Sequence, residues 1–214
     1  MLPLSDTKRA GSFIFWTKLL IIANIWIFFL EITASDPEAF IAQFALIPAL
    51  IDLNNPSSLT SFFTSQFLHA GFVHILSNMW FLHIFGDNVE ERVGYVFFPI
   101  IYLASGATGG LFQYITDPTG SIPMLGASGA IAGVLGAYFA LFPHNQIRTL
   151  VPVFGFPAII NLPASFMLIY WFFTQLFSGT ASVLADTGAT GGVAFFAHIG
   201  GFGFGYLAGI MFKR

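Results

Sequence analysis

Charged residues interrupt this chain rarely, and the intervals between them are long and apolar. Residues 13–30 hold a single charge, Lys18. No Asp, Glu, Lys or Arg falls within 53–86, 93–116, 118–147, 149–185 or 191–212. A helix needs about 20 apolar residues to cross the hydrocarbon core of a bilayer. The pattern therefore predicts six spans, over about residues 13–30, 63–85, 93–116, 127–142, 162–177 and 191–212. Pro163 suits the first turn of the fifth. The expected fold class is an all-α membrane protein, one transmembrane domain over 1–214. Its first loop, about residues 31–60, is long and holds Asp36, Pro37, Pro48, Asn54, Asn55 and Pro56 around apolar stretches. Long loops are usually functional or disordered, and the apolar content of this one predicts packing on the membrane surface.

Composition and charge sharpen this picture. Hydrophobic residues make up 56% of the chain and charged residues 8%, against about 25% charged in soluble domains. So few charges cannot cover a globule of this size, and the mean hydropathy of +0.81 agrees. The absence of cysteine excludes disulfides, thiolate metal sites and cysteine nucleophiles. Net charge is −3, and no basic run points to nucleic acid. The Lys and Arg residues are Lys8, Arg9, Lys18, Arg92, Arg148, Lys213 and Arg214. All lie at or near the termini or in the second and fourth loops, which under six spans share one face. Lys and Arg mark the cytoplasmic side, so both termini are expected in the cytoplasm, with Lys18 snorkelling back to that surface. A signal peptide cleaved after Ala34 fits poorly, because Ile32 stands where a small residue is needed.

Polar groups inside hydrocarbon are costly, so each one in a span asks for a reason. They gather in the outer halves of three expected helices. The second carries His69, His74 and Asn78, the fourth opens with Gly126-Ala127-Ser128-Gly129, and the sixth carries His198. His74 and Asn78 are four apart and share a helix face. The plain alternative is that they bridge helices by hydrogen bonds. Ser128 sits where the first helical N–H groups have no intrahelical partner, between glycines that let another backbone approach. A helix cap or small-residue packing would explain it as well. His198 precedes Gly201, Gly205 and Gly209, a small-residue stripe suited to packing on the fourth helix. Ser128 and His198 then reach similar depth, and a hydroxyl beside an imidazole base is what a serine nucleophile requires. No carboxylate lies in a span to orient His198, so a hydrolase here would use a dyad. Ser128 N–H, His74 and Asn78 could serve as oxyanion donors.

Taken in order, these residues resemble the rhomboid intramembrane serine proteases. The resemblance rests on His74-x-x-x-Asn78 in a second helix, Gly126-Ala127-Ser128-Gly129 opening a fourth, and Ala197-His198-x-x-Gly201-x-x-x-Gly205 in a sixth. His69 matches the family's extra histidine. Residues 86–94 look like its cytoplasmic turn, with Glu90 and Arg92 in the ion-pairing places. Pro163, Trp171 and Gln175 look like its fifth helix. The resemblance covers about 63–212. It implies Ser128 as nucleophile, His198 as general base, and His74, Asn78 and the Ser128 N–H as the oxyanion hole. His69, Gly126, Gly129, Gly201 and Gly205 would support them. The fifth helix and about 178–192 would form gate and cap. It implies transmembrane protein substrates cut near the outer face, no metal and no cofactor. It also implies a multi-pass place in a prokaryotic plasma or inner membrane. Two departures matter: Ala132 stands where some members carry an aromatic that stacks on the histidine, and the first loop lacks a Trp-Arg pair.

Two other function classes compete. A non-catalytic rhomboid-like binder of membrane clients would not need the Ser128, His198, His74 and Asn78 set. A small transporter would line a pore with the polar residues, but no internal repeat supports it. His83 reads as interfacial or helix-bridging, and His144, Asn145 and Arg148 as a solvated cytoplasmic turn. Asp117 and Asp186 read as outer-loop residues in contact with solvent.

Overall fold

A computed structural model describes residues 1–8, 10–11, 14–184 and 195–213, with 175–184 described by backbone alone. In chain order the elements are β1 (Leu2–Asp6), α1 (Trp16–Thr33), α2 (Pro37–Phe44), α3 (Ser61–Thr64) and α4 (Phe72–Val93). There follow α5 (Phe97–Thr116), α6 (Ser128–Leu141), β2 (Gln146–Val153), β3 (Phe156–Pro163), α7 (Ala164–Leu184) and α8 (Phe195–Met211). By length and hydropathy α1 is long and apolar enough to cross a membrane, while α6, Ala164–Thr174 and α8 are apolar but shorter.

Polar side chains are buried within the bundle while many large apolar ones are exposed on it. Asn24, Glu31, Gln66, His69, Asn78, Ser105 and His198 are buried. Ile22, Trp26, Phe29, Val73, Leu76, Leu207 and Met211 are exposed. Large contiguous apolar surfaces are rare on soluble monomers; here exposed apolar side chains recur along α1, α4, α5, α7 and α8. The core lies where α4, α5, α6 and α8 meet, around Phe85, Phe98, Tyr102, Leu135 and Tyr138.

The second long helix differs from the expected 63–85. Residues 61–67 form one short α turn and one 3₁₀ turn, and α4 starts only at Phe72, after Gly71. It then runs to Val93, through Asp87, Glu90, Glu91 and Arg92. Charge was a poor boundary marker because Glu90 is buried and fully engaged. Its carboxylate accepts the N–H groups of Phe15, Trp16 and Thr17 and the Thr17 hydroxyl, all at 2.8 Å. Those are the orphan donors that open α1, and an anion there also meets the positive end of the helix dipole. Glu90, which the resemblance put in an ion-pairing place, therefore caps α1. The Arg92 Nε donates to the Phe212 carbonyl.

The chain is mostly helical but not all-α. β1, β2 and β3 form an antiparallel sheet in that order, with Leu2 opposite Leu150 and Arg148 opposite Asn161. The apolar run of 149–163 has no clean alternation, so nothing in its polarity announced strands. Phe154 (φ 49) and Gly155 (φ 85) make the tight turn between β2 and β3. Both central residues of such a turn need positive φ, which is why Asn-Gly is usual; a phenylalanine there costs about 1–2 kcal/mol.

The sheet is tied to the helices by a buried polar lock. One Asp6 carboxylate oxygen accepts Asn88 Nδ2 at 2.7 Å and the Tyr138 hydroxyl, and the Asn145 amide reaches Tyr138 at 3.1 Å. Asn145 is thus part of the packing rather than a solvated turn.

Candidate functional site

Ser128 is the first residue of α6, and His198 lies one turn into α8. Glycine contacts set how closely these helices cross. A Cβ added at Gly201 would collide with the Gly129 carbonyl, one at Gly205 with the Gly133 backbone, and one at Gly136 with the Phe202 carbonyl. Backbone meets backbone along the whole crossing, the geometry that small-xxx-small stripes permit. The result is a Ser128 Oγ to His198 Nε2 distance of 2.8 Å. His198 is buried and Ser128 half-buried.

The approach to Ser128 is held from the first loop. Leu46 and Met124 exchange both backbone hydrogen bonds, at 3.0 and 2.8 Å, and Gly126 N–H donates to the Ser65 carbonyl at 2.9 Å. Gly126 has φ 125, and a Cβ there would lie 2.8 Å from His74 Nε2 and 3.7 Å from Asn78 Nδ2. Only a residue without a side chain admits the His74 ring so close to the turn before Ser128. The Asn78 Nδ2 is buried without a hydrogen-bond partner, an orphaned donor of the kind that asks for an explanation. His74 Nδ1 accepts the Ala70 N–H at 3.4 Å. The neutral imidazole must then carry its proton on Nε2, the atom beside Gly126.

Of the residues singled out in the sequence, Ser128, His198, His74, Asn78, Gly126, Gly129 and Gly201 converge on this one end of the bundle, while Gly205 packs on Gly133 further along the crossing. His69 sits before α4, its ring centroid 5.2 Å from that of His74. The expected cap over 178–192 falls partly in α7 and partly outside the described residues, as does Asp186; the Gln175 side chain is also outside them.

Sequence reasoning missed two participants. Glu31 belongs to α1, is buried, and accepts the His69 backbone N–H at 3.0 Å. It looked like a loop residue because the first apolar run ends just before it. The other is the role of Trp171. Its ring lies against His198, with centroids 5.8 Å apart and planes at 38°, and also against Phe202 at 6.4 Å. With Ala132 leaving no ring on α6, the aromatic neighbour of His198 comes from α7. Long-range pairing of that kind has no signature in local spacing.

Residues 56–214 match the rhomboid domain family. The bovine presenilin-associated rhomboid-like protein, mitochondrial, is 31% identical over 179 residues, 79% of this chain and 45% of its own length. RHOMBOID-like protein 1 of Arabidopsis thaliana is 31% identical over 152 residues, 70% of this chain and 33% of its own. YdcA of Bacillus subtilis (strain 168), named as a candidate rhomboid protease, is 39% identical over 85 residues, 39% of this chain and 42% of its own. This chain spans less than half the length of each of these relatives. With the family domain covering α3 to α8, and with them Ser128, His198, His74 and Asn78, the chain belongs to the rhomboid family of membrane proteins.

Proposed function

We propose that this protein is an intramembrane serine endopeptidase that cuts transmembrane segments of other membrane proteins near the outer face. The observation that carries the reading is the 2.8 Å contact between Ser128 Oγ and His198 Nε2 beside the turn at Gly126. Ser128 Oγ attacks the scissile carbonyl carbon while its proton passes to His198 Nε2. The carbonyl oxygen becomes an oxyanion. Asn78 Nδ2, His74 Nε2 and the Ser128 N–H are the donors that receive it; the first lacks a partner, and the second carries its proton on the correct atom. The imidazolium returns its proton to the leaving amine, and the C–N bond breaks. Water then attacks the acyl-enzyme, His198 takes its proton and returns it to Ser128 Oγ, and the carboxylic acid departs. No metal or cofactor enters these steps.

The topology that goes with this reading has six spans, formed by α1 and α4 to α8, with both termini cytoplasmic in a prokaryotic plasma membrane. The one-sided placement of Lys and Arg supports it. Ser128, His74 and His198 then lie toward the outer surface, from which water reaches them.

The test is fluorophosphonate labelling of the purified full chain alongside cleavage of a reconstituted transmembrane substrate. Label should enter one serine. Ser128→Ala should lose label and lower kcat by roughly 10⁴-fold or more, with an unchanged melting temperature. Undiminished cleavage by Ser128→Ala overturns the assignment. Capture of the substrate without any cleavage by the unaltered chain favours the non-catalytic binder instead.

A further inference from the structure

The β2–β3 hairpin has features that the proposed chemistry leaves unused. Its tip is apolar and bare: Phe154 is 98% exposed, Phe156 77% and Ile159 55%. Phe154 also holds a positive φ that disfavours any residue with a side chain. A strained, fully exposed aromatic where Asn would serve better is an outlier that asks for a function.

The hairpin's orientation can be read from its attachments. Trp80 Nε1 donates to the Pro3 carbonyl at 2.8 Å, and Asn88 Nδ2 to Asp6 at 2.7 Å. From Trp80 to Asn88, α4 rises about 12 Å; from Pro3 to Asp6 a strand advances about 10 Å. β1 therefore runs along the flank of α4, parallel to it. β2 pairs with β1, so it climbs beside α4 from the end bearing Glu90 and Arg92. One face of β2, with Ile147, Thr149 and Val151, is buried, and Thr149 touches Met167 of α7. Polarity is graded along the climb. Gln146, Arg148 and Asn161 lie at the base, and Val153, Phe154 and Phe156 at the tip. β3 passes directly into α7, whose Phe166, Ile169, Tyr170 and Phe173 are exposed. The bare face of the hairpin is thus continuous with the apolar outside of the helices.

We infer that the β2–β3 hairpin is an inner-leaflet anchor, with Phe154 and Phe156 inserted among acyl chains and Arg148 and Asn161 held at the headgroups. The depth is bounded from both sides. A dry apolar tip draws the hairpin in. The outer edge of β3, unpaired among the described residues, cannot lie bare deep in hydrocarbon, so the base stays at the interface. Arg148 at that base suits anionic headgroups. The inference rests on the cytoplasmic placement of the α6–α7 connection proposed above.

The chain contains no cysteine, so single cysteines report cleanly. Phe154→Cys, Phe156→Cys, Asn161→Cys and Arg148→Cys, each in the full chain, are spin-labelled and reconstituted in vesicles of phosphatidylethanolamine and phosphatidylglycerol. Accessibility to oxygen over a water-soluble nickel chelate should rise from 148 and 161 to 154 and 156. Nitroxide lipids should quench a fluorophore at 154 and not one at 161. Nickel accessibility at 154 equal to that of Asn55→Cys in the first loop overturns the anchor. Protection at 154 from both probes also overturns it, and spin–spin broadening between copies would then identify a second chain as the cover. Reaction of Arg148→Cys with an impermeant maleimide tests the topology alone. Reaction from the periplasmic side rejects the topology whatever the label at 154 reports.

Discussion

The two ends of the bundle are fastened by different physics. At the Ser128 end, α6 and α8 are set against each other by glycines, backbone on backbone, and the polar side chains there are left with capacity to spare. At the Glu90 end, the carboxylates are saturated: Glu90 caps α1, and Asp6 gathers Asn88, Tyr138 and Asn145. Backbone contacts and backbone hydrogen bonds set the first end, so the Asn78 side-chain donor remains available to something else. Hydrogen bonds hold the second, so the Glu90 and Asp6 carboxylates have no further task. Asn78 and Glu90 mark the contrast: the first keeps a side-chain donor in reserve, and the second spends its carboxylate on the start of α1.

The largest effect that can break this comparison is at the crossing itself. Gly205→Leu must push α8 off the Gly133 backbone, which cannot yield as a side chain could. Overpacking costs about 1–3 kcal/mol or more, and cleavage should vanish along with a large fall in melting temperature. Asn78→Ala separates the two properties. It removes an unspent donor, so kcat should drop about 100- to 1000-fold, while the melting temperature in detergent stays level or rises. A clear loss of stability there would mean that Asn78 is structural after all. Glu90→Ala should do the reverse. Orphaning the donors that open α1 should cost about 3 kcal/mol in an unfolding titration, with kcat/KM of the protein that remains folded within a few-fold of normal.

The smallest expected effect is at Trp171. Trp171→Phe keeps a ring and should lower kcat only a few-fold, in line with about 0.5–1.5 kcal/mol for an aromatic contact. Trp171→Ala should lower kcat further without raising KM in proportion, and should alter the pH profile of kcat. Changes confined to KM would make Trp171 a substrate contact instead of a restraint on His198.

Much of the site was legible in the sequence because its groups are chemically odd for their surroundings. His74, Asn78, Ser128 and His198 are polar residues in apolar runs, and the glycines beside them carry a spacing that helix geometry interprets directly. The helix ends were less legible. The end of α4 hid behind Glu90 and Arg92, since a charge satisfied by another helix's N-terminus looks in sequence like a charge in water. Glu31 was lost by the same logic at the end of α1. The sheet was missed because Leu2–Asp6 and Gln146–Val153 pair across more than half the chain, and neither alternates in polarity. Trp171 was visible as a residue, but its contact with His198 depends on how two helices lean.

That lean has a consequence for turnover. Trp171 rides on α7, whereas Ser128 and His198 ride on helices that glycines lock together. Displacing α7 sideways would carry the indole away from the imidazole and leave the Ser128–His198 contact intact. The base would be free to rock while a substrate threads past and steady once the helix settles back, so admission and reaction would be timed by the same ring.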